Sequence, residues 1–196
     1  MRVLLVQEHI PAYRAGVFDA LKDALRARGI DLIVGHGDPP EPIATRRDEG
    51  ITTAAVHRPS RALRFGRGRD LVLQDWRDEA RTSDLVIVNE GLRFALNYWL
   101  LLRQRFDGPP VALWGHGPPE ARSASPSHSL RRWVHRRPHW WFAYTKRSRL
   151  RLQAAGFPAQ RISVLQNAAQ NGDLRAALGS FSNGDRERTR EVLGVS

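Results

Sequence analysis

The sequence predicts an α/β protein in which a parallel sheet of about seven strands is covered by helices on both faces. Three observations lead there. Short apolar or β-branched runs alternate with amphipathic stretches along the chain. The first and fourth runs are continuously apolar, the pattern of strands buried on both sides. The amphipathic stretches end at helix stops: Gly29, Pro138, and Gly156 with Pro158 just beyond it.

In order, Val3–Gln7 reads as the first strand and Gly16–Arg28 as a helix, with Val17, Phe18, Leu21, Ala24 and Leu25 at helical spacing. Ile30–Val34 and Thr52–Val56 read as the second and third strands, and Asp70–Arg81 as a helix. Asp84–Val88 is the fourth strand. Phe94–Phe106 is a helix that buries Leu96, Trp99, Leu100 and Leu102. Val111–Trp114 is the fifth strand, followed by a basic helix over Pro126–Arg137 that Ser125 opens. Trp140–Tyr144, the helix Lys146–Ala155 and the strand Ile162–Leu165 complete the series.

Beyond Asn167 the texture changes. Ala168–Ala177 reads as a short helix, Gly179–Asp185 as a Gly/Ser/Asn linker, and Arg186–Leu193 as the start of a further helix. The expected division is a domain over 1–167 and a linker with the truncated start of another over 168–196. No internal repeat is present.

Composition narrows the class. A chain of 196 residues is enough for one α/β domain with a substantial core and too short for two. With no cysteine, disulfides and thiolate metal sites are excluded, and the context expected is cytoplasmic. No apolar run approaches the ~20 residues of a membrane span, and Met1–Val6 is too short and wrongly flanked for a signal peptide. The net charge of +11 is almost wholly arginine, since Lys22 and Lys146 are the only lysines. An excess of base over acid favours an anionic partner such as a phosphorylated sugar, an acidic lipid surface or nucleic acid; a solvated basic surface is the bland alternative.

In open parallel sheets, ligands bind beyond the carboxyl ends of the strands, so the turns there hold the candidates. Gly115-His116-Gly117 follows the fifth strand: backbone flanked by glycine approaches a ligand closely while the imidazole projects from it. Gly35-His36-Gly37 repeats the pattern after the second strand, which lies towards one side of the sheet. Glu90 and Arg93 follow the fourth strand, where Asn89 or Glu90 serves equally well as a cap of the next helix. His9, Tyr13 and Arg14, with Gly16, occupy a long first loop and are candidates to hold an acceptor hydroxyl or phosphate. Arg58, Arg61, Arg64, Arg67 and Arg69, interleaved with Leu63 and Phe65, form a basic loop after the third strand suited to an anionic acceptor or an acidic membrane.

Other chemistries are absent from the sequence. There is no G-x-x-x-x-G-K-[ST] loop, no third glycine after Gly66-Arg67-Gly68, and no G-x-S-x-G elbow. His135 and His139 are separated by Pro138, which breaks the helix that would bring them together, so no metal site is expected.

Four segments carry a resemblance. Val3-Leu4-Leu5-Val6 with Ile10-Pro11-Ala12-Tyr13-Arg14, Leu113-Trp114-Gly115-His116-Gly117, Tyr144-Thr145-Lys146 to Gly156-Phe157-Pro158, and the I-x-V-x-x-N stretch Ile162–Asn167 together resemble the N-terminal domain of family 4 (group 1) glycosyltransferases, which have the GT-B architecture. The resemblance covers the chain to about Asn167 and implies a Rossmann-like, acceptor-side domain, with 168–196 leading into the donor-binding half. It implies transfer of a sugar, with retention and without a metal or other cofactor, from a nucleotide-sugar to a sugar or lipid-linked acceptor. It places His116 against the transferred sugar and leaves this chain alone inactive, while the basic loop after the third strand makes peripheral attachment to the inner face of an acidic membrane an expectation. Two features depart from the family: only Gly16 stands where a glycine pair is frequent, and Gln170 stands where an acid is frequent.

Two alternatives stay open. A non-catalytic basic module for nucleic acid would use Trp133, Trp140, Trp141 and Phe142 beside Arg131, Arg132, Arg136 and Arg137, although these aromatics read more readily as the core of the sixth strand and its preceding helix, and no specific nucleic-acid partner is expected. A sugar-nucleotide epimerase of the same architecture is the other.

Overall fold

The computed structural model describes residues 1–40, 50, 52–53, 55–65, 70–119, 127–166, 179–180 and 182–194. Its elements run β1 (Arg2–Gln7), α1 (Ala12–Arg26), β2 (Asp31–His36), β3 (Ala55–His57), β4 (Arg61–Arg64), β5 (Asp70–Leu73), α2 (Arg77–Arg81), β6 (Leu85–Asn89), α3 (Ala95–Arg103), β7 (Val111–Gly115), α4 (Ser127–Arg136), β8 (Trp140–Ala143), α5 (Lys146–Ala154), β9 (Ile162–Val164) and α6 (Asn183–Leu193). Seven strands form one sheet in the order β3-β2-β1-β6-β7-β8-β9, with every neighbouring pair parallel. The chain builds outward from β1 to β3 and then returns to the other side of β1. The topological switch point therefore lies between β1 and β6.

The strand period of two divides the core between the two faces of the sheet. Leu4 and Val6 of β1 join Val86, Val88, Val111, Leu113 and Trp141 in one cluster, closed by Leu96, Leu100 and Leu101 of α3, Val134 of α4 and Leu152 of α5. Val3 and Leu5 face the other way, with Leu32, Val34 and Trp114, and are covered by Ala15 and Phe18 of α1. At β1 and β7 both faces are buried, which is why these two strands read as unbroken apolar runs.

Several expectations change. Asp70–Arg81 is not a helix: Asp70–Leu73 pairs antiparallel with Arg61–Arg64 as a two-stranded ribbon, and the helix is confined to Arg77–Arg81. Trp76 sets that limit. It is buried against Gly35 of β2, where an added Cβ would stand 2.6 to 2.8 Å from the indole ring, so the chain dives into the core before it coils. Helix α1 begins at Ala12 and not at Gly16, with Pro11 as its N-cap. Proline presets an extended φ and lacks only an N–H that the helix start leaves unbonded. Of the predicted third strand, Ala55 and Val56 belong to β3, paired with Val34 and Gly35. Gly35 and His36 lie inside β2, which is longer than predicted. Helix α6 starts at Asn183, three residues before the expected Arg186, because Ser182 and Asp185 form a reciprocal capping box. The predicted helix over Ala168–Ala177, Ser125, Arg67, Arg69 and the boundary at Asn167 lie outside the described residues.

Candidate functional site at the strand ends

The carboxyl ends of β1, β6, β7 and β8 bring together four chain segments far apart in sequence. Beyond β7 the backbone turns at Gly117 with φ +73°, a conformation that glycine adopts without strain. Two side chains hold this turn. The Gly117 amide donates to Oε2 of Glu90 at 2.7 Å. The other carboxylate oxygen, Oε1, lies 2.8 Å from Nε2 of His135, an imidazole only 4% exposed. Gly115 is required by the same packing, because a Cβ there would overlap the Glu90 side chain. The result is a loop anchored from behind with the His116 side chain exposed at its crest.

The exposed imidazole of His116 packs against the Tyr144 ring, with centroids 4.5 Å apart. Tyr144 directly follows β8 and its amide donates to Gly115 O at 3.0 Å, so β7 and β8 stay in register up to the site. Its phenolic oxygen accepts from Arg14 Nη1 at 3.1 Å. The buried guanidinium of Arg14 sits 5.0 to 5.4 Å from the rings of Tyr144, Trp114 and Tyr13. Such a cation held among π-faces is attracted to each of them. Arg14 is therefore a bracket that orders Tyr144, with its charge directed into the protein. Tyr13 is 44% exposed at the rim. His116, Tyr144 and Tyr13 present aromatic faces suited to a pyranose, with one imidazole able to give or take a hydrogen bond.

At the switch point, Arg93 forms a close ion pair with the buried carboxylate of Glu8. Burial pushes the Glu8 carboxyl above the usual carboxylate range, and Arg93 pulls it partly back. The Arg93 guanidinium also lies 5.3 Å from the Phe94 ring. Gln74 reaches across to donate to Gln7 O at 3.0 Å. On the far side, His57 meets Asp38 at 2.8 Å and the Ser60 amide donates to Asp38 at 2.9 Å. Burial works to raise the Asp38 carboxyl, but these hydrogen bonds and the neighbouring His57 and His36 outweigh it and leave it lowered.

The predicted residues thus separate. His116, Tyr13 and Arg14 converge, although Tyr13 and Arg14 stand on the first turn of α1 and not in a loop. Gly16 lies inside the same helix and lines no turn. His9 follows β1, partly buried. Glu90 does not cap the following helix, whose N-cap is Phe94; it holds the His116 loop. Arg93 is occupied by Glu8. Arg58 is likewise committed, forking onto Glu79, donating to Asp75 O at 2.8 Å and lying 4.6 Å over the Trp76 ring, so it is not part of a free basic loop. Arg61 and Arg64 stand on the exposed strand β4. His36, the histidine of the second Gly-His-Gly, turns Nδ1 back to Gly37 O at 3.0 Å, unlike His116. Glu8, Tyr144 and His135 were missed as site residues. Glu8 and Tyr144 directly follow strands and were legible by the rule that exposed His116; His135 drew attention only as a metal ligand.

No protein-family profile and no curated protein matches the chain. Solved structures do. UDP-GlcNAc 2-epimerase from Neisseria meningitidis, bound to UDP-GlcNAc, superposes with a TM-score of 0.51 at 16% identity, covering 99% of this chain and 54% of that one. Anabaena HepE in complex with UDP-glucose superposes at 0.55 with 14% identity, over 99% and 50% respectively. The likeness places the fold in the Rossmann-like, GT-B-like group. The chain spans about half the length of these structures.

Proposed function

We propose that this chain is the acceptor-side half of a nucleotide-sugar enzyme of GT-B-like architecture and that it takes part in glycosyl transfer. The observation that carries the reading is the His116 loop: an exposed imidazole at the carboxyl end of a buried strand, fixed from behind by Glu90 and paired with an ordered tyrosine. Positioning of this kind supplies much of an enzyme's rate. In this reading His116 contacts the transferred sugar, Tyr144 and Tyr13 form the walls of its site, and Glu90, His135 and Arg14 hold those groups in place. The resemblance supplies the finer terms: a nucleotide-sugar donor bound mainly by a second domain beyond residues 1–167, retention, no metal, and a sugar or lipid-linked acceptor. Attachment to an acidic membrane would fall to the β4–β5 ribbon, where Arg61, Arg64, Leu63 and Phe65 are exposed. No helix among the described residues is long and apolar enough to cross a membrane.

The test is histidine-resolved NMR of the chain titrated with UDP-glucose, UDP-GlcNAc and UDP. The sugar-bearing ligands are expected to move the His116 resonances weakly, UDP to leave them still, and the chain alone to show no turnover. Failure of every sugar to perturb His116, or turnover by the chain alone, would overturn the reading. The fold of a UDP-GlcNAc 2-epimerase supports a second reading, epimerisation. Once a donor-binding half is supplied, release of UDP only in the presence of an acceptor selects transfer; interconversion of the nucleotide-sugar without acceptor selects epimerisation.

A further inference from the structure

The charge of this protein is concentrated in one part of the chain. Residues 121–172 contain ten arginines and lysines and no aspartate or glutamate, so this segment accounts for nearly all of the net +11. Elsewhere arginines find acids close by, as Arg58 finds Glu79, Arg81 finds Asp78, Arg93 finds Glu8 and Arg103 finds Asp107. Within 121–172 no local acid exists to do the same.

The structure gathers part of this charge in one concavity. Ser129, Arg132, Trp133, Arg136 and Arg137 line a groove of about 520 Å³. Their spacing places Ser129, Arg132, Trp133 and Arg136 along one stripe of α4, with Arg137 immediately beyond its end. The groove is built as well as charged. The Trp133 indole stacks on Tyr98, with centroids 6.4 Å apart and planes at 21°. Arg137 lies 5.1 Å over the same indole, and its carbonyl accepts from Gln104 Nε2 at 2.7 Å. The Arg136 guanidinium lies beside Gly156, at the end of α5. No carboxylate pairs with Arg132, Arg136 or Arg137 among the described residues. Helix α4 carries the chain from the carboxyl edge of the sheet back to its amino edge, where β8 begins. The arginine pair directly follows His135, whose imidazole meets Glu90 behind the His116 loop, and neither arginine takes part in that contact.

We propose that this α4 groove is a second binding site, for a phosphate-bearing ligand. Guanidinium groups match phosphate oxygens in planar, forked geometry, a hydroxyl at Ser129 adds a donor, and the indole wall suits the apolar portion next to the phosphate. The inference is independent of the proposed catalytic role, because it uses none of the residues at the strand ends.

The test is calorimetric titration of the 196-residue chain with inorganic pyrophosphate, and co-sedimentation with vesicles of phosphatidylglycerol or of phosphatidylcholine, each at low and high salt. R132Q/R136Q is compared with R186Q/R188Q, which removes the same charge from exposed positions of α6; a thermal melt checks that both variants fold. Saturable, salt-sensitive pyrophosphate binding that weakens by roughly tenfold or more in R132Q/R136Q alone supports the site and assigns it a free phosphoryl ligand. The same selective loss seen only with phosphatidylglycerol supports it and assigns the phosphate to a lipid headgroup. Equal weakening in both variants would reduce the effect to net charge, and absence of binding to either probe would likewise overturn the proposal.

Discussion

Glu90 and His135 meet at 2.8 Å across the space between the end of β6 and helix α4, and the same carboxylate holds the Gly117 amide. One side chain thus links a buried helix position to the exposed His116 loop. Glu90→Ala leaves a buried imidazole and a backbone N–H without their acceptor, which costs about 2–4 kcal/mol. Chemical denaturation of the variant against the parent chain measures this. A change within about 0.5 kcal/mol would mean that the loop is held by other contacts.

His116→Ala is expected to behave in the opposite way. The side chain is exposed, so the melt stays unchanged, while turnover in the assembled enzyme falls by roughly 10²-fold, as for other polar groups placed at developing charge. Near-parental turnover in the folded variant would remove His116 from the mechanism.

Arg58 and Arg61 are three residues apart and differ in role. Arg58→Ala breaks a fork to Glu79 and a stack on Trp76 and should lower stability by about 1 kcal/mol, whereas Arg61→Ala should leave the melting temperature unchanged. Equal effects would contradict the assignment of Arg58 to the core side of the ribbon.

Glu8 and Arg93 predict a pH dependence. Because burial raises the folded-state value for Glu8, the folded protein holds this proton more tightly than the unfolded chain. The stabilising contribution is full at low pH and declines as pH rises through the unfolded value towards the raised folded one. Arg93→Met removes the group that limits the rise, so the destabilisation of the variant should grow between about pH 4 and pH 7. Thermal melts across that range test the sign. A constant difference at all pH values would assign Arg93 to packing on Phe94 alone.

The class and order of the fold were legible in the chain itself, because burial on both faces of a parallel sheet demands uninterrupted apolar runs such as Val3–Val6 and Val111–Trp114. Helix stops were legible for a similarly local reason: Gly29 and Gly156 take positive φ where their helices end. The prominence of His116 followed from its glycine neighbours. The error at Asp70–Arg81 was also local in origin, since a short strand and a short helix joined by Trp76 carry no distinct period. What only the tertiary structure decided was which side chains are already engaged. Arg14, Arg58 and Arg93 read as ligand-facing charges in sequence, and Glu90 as a ligand group or a helix cap, yet each is bound by a residue between 21 and 130 positions away. Pairing over such distances depends on the order in which strands lie side by side. One-dimensional spacing shows where a charged group falls on its own element, and only the sheet shows what stands opposite it.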